Sequence, residues 1–146
     1  MEAEARWVND GLTFLAKGGS NHYVVMDSKK ALGGSEAASS PMELVLFGLL
    51  GCSGFDVVSI LQKMRMLPDT FTIKAQTERA EEHPKIFTKI HLQYVFTGSD
   101  LKEENLERAV SLSQEKYCSV AGMLNKAAEI TYTVVVNPEL EQETTS

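Results

Sequence analysis

Cys52 and Cys118 are the only cysteines in the sequence, and a thiolate is a strong nucleophile and a partner in disulfide exchange. Cys52 lies inside the apolar run Ser40-Pro41-Met42-Glu43-Leu44-Val45-Leu46-Phe47-Gly48-Leu49-Leu50-Gly51-Cys52-Ser53-Gly54. Cys118 opens a second helical stretch, Lys116-Tyr117-Cys118-Ser119-Val120-Ala121-Gly122. Neither cysteine has metal-ligand spacing, and His22, His83 and His91 add none, so no metal site is expected. Two readings remain. The thiols are a redox pair that meets in space, or they are two inert apolar side chains. The 65 intervening residues carry no information about the distance between the sulfurs. If Ser119 caps the short helix, Cys118 lies beside unpaired amides, a setting that favours a thiolate.

Glu43 is the other candidate. Ser40-Pro41-Met42-Glu43 reads as a helix start: Ser40 caps, Pro41 takes the first helical position, and Glu43 completes a capping box. A role beside Cys52 would require Glu43 to face a residue nine positions later, on the opposite side of an ideal helix. The capping role is therefore preferred on geometry. Gly33-Gly34-Ser35 is no phosphate loop, because no Gly-Lys-Ser/Thr follows it.

The surrounding chain must position these residues. Its 146 residues, 43% hydrophobic and 23% charged, suit one domain spanning 1–146 with a polar tail at about 139–146. A net charge of −6 with scattered Lys and Arg argues against nucleic-acid and anionic-membrane partners. The first six residues are acidic and alternating, unlike a signal or transit peptide, so a cytoplasmic location is expected. There a permanent disulfide is disfavoured and a transient catalytic one allowed. The apolar run 44–55 is short for a bilayer span and reads as a buried core helix.

Alternation predicts strands at 3–7, 12–16 and 22–26, with a turn at Asn9-Asp10-Gly11. Residues 27–39 form the one loop long enough to cover a site. The long helix should run to about Met66 and stop before Pro68. Gly48, Gly51 and Gly54 each cost about 1 kcal/mol against Ala there and suggest a closely packed backbone. Strands follow at 71–76 and 86–97, the latter with Ile86, Ile90, Leu92, Tyr94 and Phe96 on one face. A helix at 101–116, a break at 117–119, a short helix and a strand at 130–136 complete an α+β chain.

Ser40-Pro41-Met42-Glu43-Leu44 leading into Gly51-Cys52, with Tyr117-Cys118-Ser119-Val120 and this order of elements, resembles the OsmC/Ohr family of osmotically inducible and organic-hydroperoxide-resistance proteins. The resemblance implies antiparallel sheets around a long central helix and an intertwined homodimer. It also implies an antioxidant, stress-response peroxidase in which Cys52 attacks an organic hydroperoxide and Cys118 resolves it. A cellular dithiol would restore both thiols, with no metal or organic cofactor. Family members use a glutamate directly after the proline and a loop arginine. Here Met42 takes the first place with Glu43 one residue later, and Lys29 and Lys30 are the loop's cations. The competing expectation is a non-catalytic dimeric protein that binds a small apolar ligand or senses redox state.

Overall fold

The computed structural model describes residues 1–8 and 11–139; the Asn9-Asp10 part of the first expected turn and residues 140–146 of the tail lie outside them. The chain groups into two compact units, Met1–Phe47 and Gly48–Ser146.

In the first unit, β1 (Ala3–Trp7), β2 (Phe14–Gly18) and β3 (Tyr23–Met26) form an antiparallel meander in the order β1-β2-β3. β2 begins two residues later than alternation suggests. The turn accounts for the delay, because the Val8 N–H reaches the Thr13 carbonyl at 3.1 Å and Trp7 Nε1 donates to the Gly11 carbonyl at 3.1 Å. Trp7, Tyr23, Val24 and Val25 are all exposed, and Asp27 is the one buried residue described in this unit.

The helix α1 (Pro41–Lys63) starts as the sequence indicates. The Ser40 amide donates to Glu43 Oε2 at 2.7 Å, and the Glu43 amide donates to Ser40 Oγ at 3.3 Å. The helix ends three residues earlier than expected. Arg65 adopts a left-handed φ of 55°, the Met66 amide bonds the Leu61 carbonyl, and the Arg65 amide bonds the Gln62 carbonyl. That pattern is a Schellman stop, here with arginine at the position that usually holds glycine.

Within the second unit, β4 (Thr70–Arg79), β5 (Phe87–Thr97) and β6 (Glu129–Val136) form a sheet in the order β4-β5-β6. β4 and β5 are antiparallel, but β6 runs parallel to β5, so this sheet is mixed rather than purely antiparallel. The reason is the connection: α2 (Glu103–Leu112), a π-helical turn (Ser113–Tyr117) and α3 (Ser119–Leu124) return the chain to the end of the sheet at which β5 begins. The inward face of β5 holds Phe87, Ile90, Leu92, Tyr94 and Phe96. Ile86, expected inside, is exposed. A register shift at Glu78/Arg79 changes the phase of the strand between Phe87 and Ile90.

The second half of α1 lies on this sheet, with Ser53 bonded to Tyr94 of β5 and Gly54 facing Ile73 Cδ1 of β4. Its buried stripe is Leu49, Ser53, Val57 and Leu61, one residue per turn. The rest departs from the expected buried helix. α1 has 23 residues, is long and apolar enough to cross a membrane, and has only 22% of its most apolar window buried. Phe55 is 81% exposed. A Cβ added at Gly48 or Gly51 would meet open space, so no backbone of the described residues packs against either glycine.

Loop 27–39 is pinned from within rather than free to swing. Asp27, 1% exposed, accepts hydrogen bonds from the amides of Ser28 at 2.7 Å, Ser35 at 3.2 Å and Ala37 at 3.0 Å. Its own amide donates to the Ser39 carbonyl, and a Cβ on Gly34 would collide with the Ser28 carbonyl. The Ala37 and Ser28 amides hold the carboxyl below its ordinary value of 3.8, more than offsetting burial. A depressed acid supports the fold above its unfolded value and loses that support as pH falls through its folded one. Amide exchange at Ser35 and Ala37 should therefore stay slow at neutral pH and accelerate, beyond the intrinsic rate, only below about pH 3.8. In Asp27→Asn the extra protection should already be reduced at pH 7. Equal protection in the two proteins would show that the carboxylate does not hold the loop.

Candidate functional site

Cys52 lies halfway along α1, half-buried, one residue before the buried stripe position Ser53. Cys118 is 5% exposed and sits between the π-helical turn and α3. Both are free thiols. The fold makes them side-chain neighbours.

Cys118, rather than Ser119, is the N-cap of α3, and its Sγ accepts a hydrogen bond from the Ala121 amide at 3.4 Å. That contact favours a thiolate, as the sequence suggests, but it loses. Burial pushes the Cys118 thiol up to about 11, and the neighbouring Cys52 thiol adds to the push. At neutral pH Cys118 therefore keeps its proton.

Beneath the two cysteines lies a polar cluster that sequence reasoning did not identify. Ser53 Oγ is 2.6 Å from Tyr94 Oη and 2.9 Å from Ser113 Oγ. Gln114 Nε2 donates to Tyr94 Oη at 2.7 Å and to Ser53 Oγ at 3.1 Å. Ser113 Oγ donates to Asp56 Oδ2 at 3.1 Å and also lies 3.4 Å from the Ser53 carbonyl. Ser53, Tyr94 and Ser113 are fully buried. Tyr94 is packed against Phe71 and, edge-on, Tyr132, and burial pushes its phenol up to about 12. One signal was available in the sequence: a serine at the core position of an apolar helical stripe.

Beside α1 and β4 runs an apolar groove of about 610 Å³, lined by Leu50, Gly51, Phe55, Val58, Phe71 and Ile73 among others. Gly51 lines it and Cys52 does not. Glu43 is exposed, and its Oε2 receives both the Ser40 amide and, at 2.8 Å, the Ser40 hydroxyl. Those two bonds, with a smaller contribution from Lys29, hold its carboxyl below the ordinary value. His91 bonds Thr131 and Thr133 across to β6, and no cluster of three or more metal-ligating side chains occurs among the described residues.

A model of the family described as OsmC-like protein matches residues 33–133. The Escherichia coli K12 protein named YhfA is 48% identical over 136 residues, covering 93% of this chain and 98% of that one. A crystal structure of a hypothetical protein from Aquifex aeolicus VF5 is 34% identical with a TM-score of 0.77, over 94% of this chain and 97% of that one. The fold also matches, at 18% identity and a TM-score of 0.69, the structure of an organic hydroperoxide resistance protein OsmC from Legionella pneumophila; 92% of this chain and 96% of that one are covered.

The high proton affinity of Cys118 is directly testable in Cys52→Ser, where it is the sole thiol. Burial, the larger cause, remains in that variant, so its iodoacetamide reaction should be slow at pH 8 and still rise about tenfold per pH unit above it. A plateau reached by pH 8 would contradict the burial argument.

Proposed function

The chain belongs to the OsmC-like protein family, and on that premise we propose that it is a thiol-dependent peroxidase that reduces organic hydroperoxides through Cys52 and Cys118. The observation that carries this reading is the pairing itself: a half-buried thiol beside a buried one that keeps its proton. Cys52, as thiolate, attacks one peroxide oxygen; the O–O bond breaks, the alcohol leaves with a proton, and Cys52 becomes a sulfenic acid. The Cys118 sulfur then displaces the hydroxyl. An S–S bond forms, the S–O bond breaks, and the Cys118 proton leaves with the hydroxyl as water. A dithiol of a reducing compartment such as the cytoplasm restores both thiols by exchange. Glu43 is assigned to the helix cap, without a step in the chemistry.

The working unit is a homodimer. The exposed Phe55, the open space over Gly48 and Gly51, and a first unit in which Trp7, Tyr23, Val24 and Val25 are uncovered all support it. Among its described residues the first unit has no buried apolar side chain, so it has little core of its own to stabilise it. One observation favours the competing reading of a binding protein. The apolar groove is lined without Cys52 and has the volume of a small-molecule site.

The roles predict an asymmetry. Cys52→Ser should abolish consumption of cumene hydroperoxide with dithiothreitol, whereas Cys118→Ser should complete the first attack and leave a dimedone-trappable sulfenic acid on Cys52. Wild type that consumes no hydroperoxide would leave the binding reading. Light scattering at micromolar concentration should give twice the 16.1 kDa chain mass. A folded monomer at that concentration would remove the dimer.

A further inference from the structure

The hydroxyls beneath the cysteines can be given a direction. The Gln114 side-chain nitrogen can only donate, and it faces Tyr94 Oη and Ser53 Oγ. At the other end the Asp56 carboxylate accepts from Ser113 Oγ. Ser113 has one hydroxyl proton, already given to Asp56, so at 2.9 Å it accepts from Ser53. Ser53 has then used its proton and, at 2.6 Å, accepts from Tyr94. Each hydroxyl proton has one place to go. The chain runs Gln114, Tyr94, Ser53, Ser113, Asp56, fixed by a donor at one end and an acceptor at the other.

This chain joins the two cysteine-bearing segments. Ser53 follows Cys52 on α1. Ser113 begins the π-helical turn, and its carbonyl receives the Cys118 amide at 2.8 Å, five residues on. Ser113 is thus held to α1 through its hydroxyl and to Cys118 through its carbonyl. The wider π-turn carries one more residue than an α-turn before Cys118, which alters the direction of its thiol.

We propose that this buried chain is a clamp that sets Cys118 against Cys52, with Ser113 and Gln114 as positioning residues for disulfide closure. The proposal rests on the reading that the pair cycles through a disulfide, and it adds the part that governs how readily the disulfide closes. Effective concentration is the relevant quantity, because closure within one chain depends on how far the sulfurs are pre-placed.

The test equilibrates intact wild type, Gln114→Leu, Ser113→Ala and Ser113→Thr with glutathione and its disulfide. Acid quenching and mass spectrometry then give the fraction closed. In the exchange, two protein thiols reduce one glutathione disulfide to two glutathiones, and the protein disulfide forms. Gln114→Leu and Ser113→Ala should lower the effective concentration about tenfold or more, and Ser113→Thr, which keeps a hydroxyl, should restore most of it. Melting is followed in parallel. If Ser113→Ala does not fold, Gln114→Leu decides alone, since Gln114 is only half-buried. Variants that close at the wild-type ratio, whatever their melting temperature, would overturn the clamp. The titration contains no hydroperoxide. A wild type that closes readily but consumes no hydroperoxide would therefore remove the peroxidase reading and leave the clamp standing, whereas unchanged closure in variants of an active wild type would remove the clamp alone.

Discussion

The Ser53 hydroxyl is the contact on which the arrangement of the second unit turns. It occupies the second position of an otherwise aliphatic stripe, Leu49, Ser53, Val57, Leu61, where a hydroxyl without partners would cost on the order of 1–3 kcal/mol. It has three side-chain partners, from β5 and from both residues that open the π-helical turn. Because those partners come from distant parts of the sequence, the hydroxyl is satisfied only when α1, β5 and the segment after α2 are in register together. An apolar residue of similar size would pack there without demanding that register. The same demand brings the two cysteines into neighbouring positions.

The environments of the two thiols differ in a way suited to sequential chemistry. Cys118 is enclosed, and the loss of water outweighs the Ala121 amide that would otherwise favour its thiolate. A short helix start beside a sulfur does not by itself make a thiolate: the Ala121 amide at 3.4 Å, with a smaller contribution from Val120, is a weak donor contact against nearly complete burial. Cys52 keeps partial access to solvent on the adjacent helix. On the proposed mechanism the more accessible sulfur meets the peroxide, and the enclosed one is reached only by its neighbour.

Local signals were the readable ones. Ser40, Pro41 and Glu43 specify a capping box within four residues, and the structure forms it with both reciprocal bonds. The alternation of Ile90, Leu92, Tyr94 and Phe96 likewise marks the inward face of β5. Features set by several elements at once were not readable. Arg65 ends α1 in a left-handed conformation that sequence rules reserve for glycine or asparagine, so the helix looked longer than it is. The parallel pairing of β6 depends on the route of the intervening helices, and Ile86 left the core through a register shift that leaves Thr88 of β5 without a partner on β4. Ser113 reads in the sequence only as part of the helical periodicity of 101–116, and Gln114 carries no signal of its own. Their role appears only once Ser53 and Tyr94 are beside them.

The exposed face of α1 follows from the same economy of contacts. A helix 23 residues long with one buried residue per turn leaves most of its circumference unused, and here that remainder is apolar, with Phe55 almost fully exposed. Length and composition alone would allow such a helix to span a bilayer. Ser53 and Asp56, however, are hydrogen-bonded to the segment after α2, so the central turns are tied to the protein's own polar core. A lipid-embedded helix would have to satisfy those groups without that segment or carry it into hydrocarbon. In the proposed homodimer a second copy of the chain would meet the requirement at less cost, covering Phe55 and the open glycine positions with apolar surface while leaving the buried hydrogen bonds intact. On this reading the glycines keep the outer side of α1 low enough for close approach, while Ser53 on the inner side holds the helix in register with the cysteine it must face.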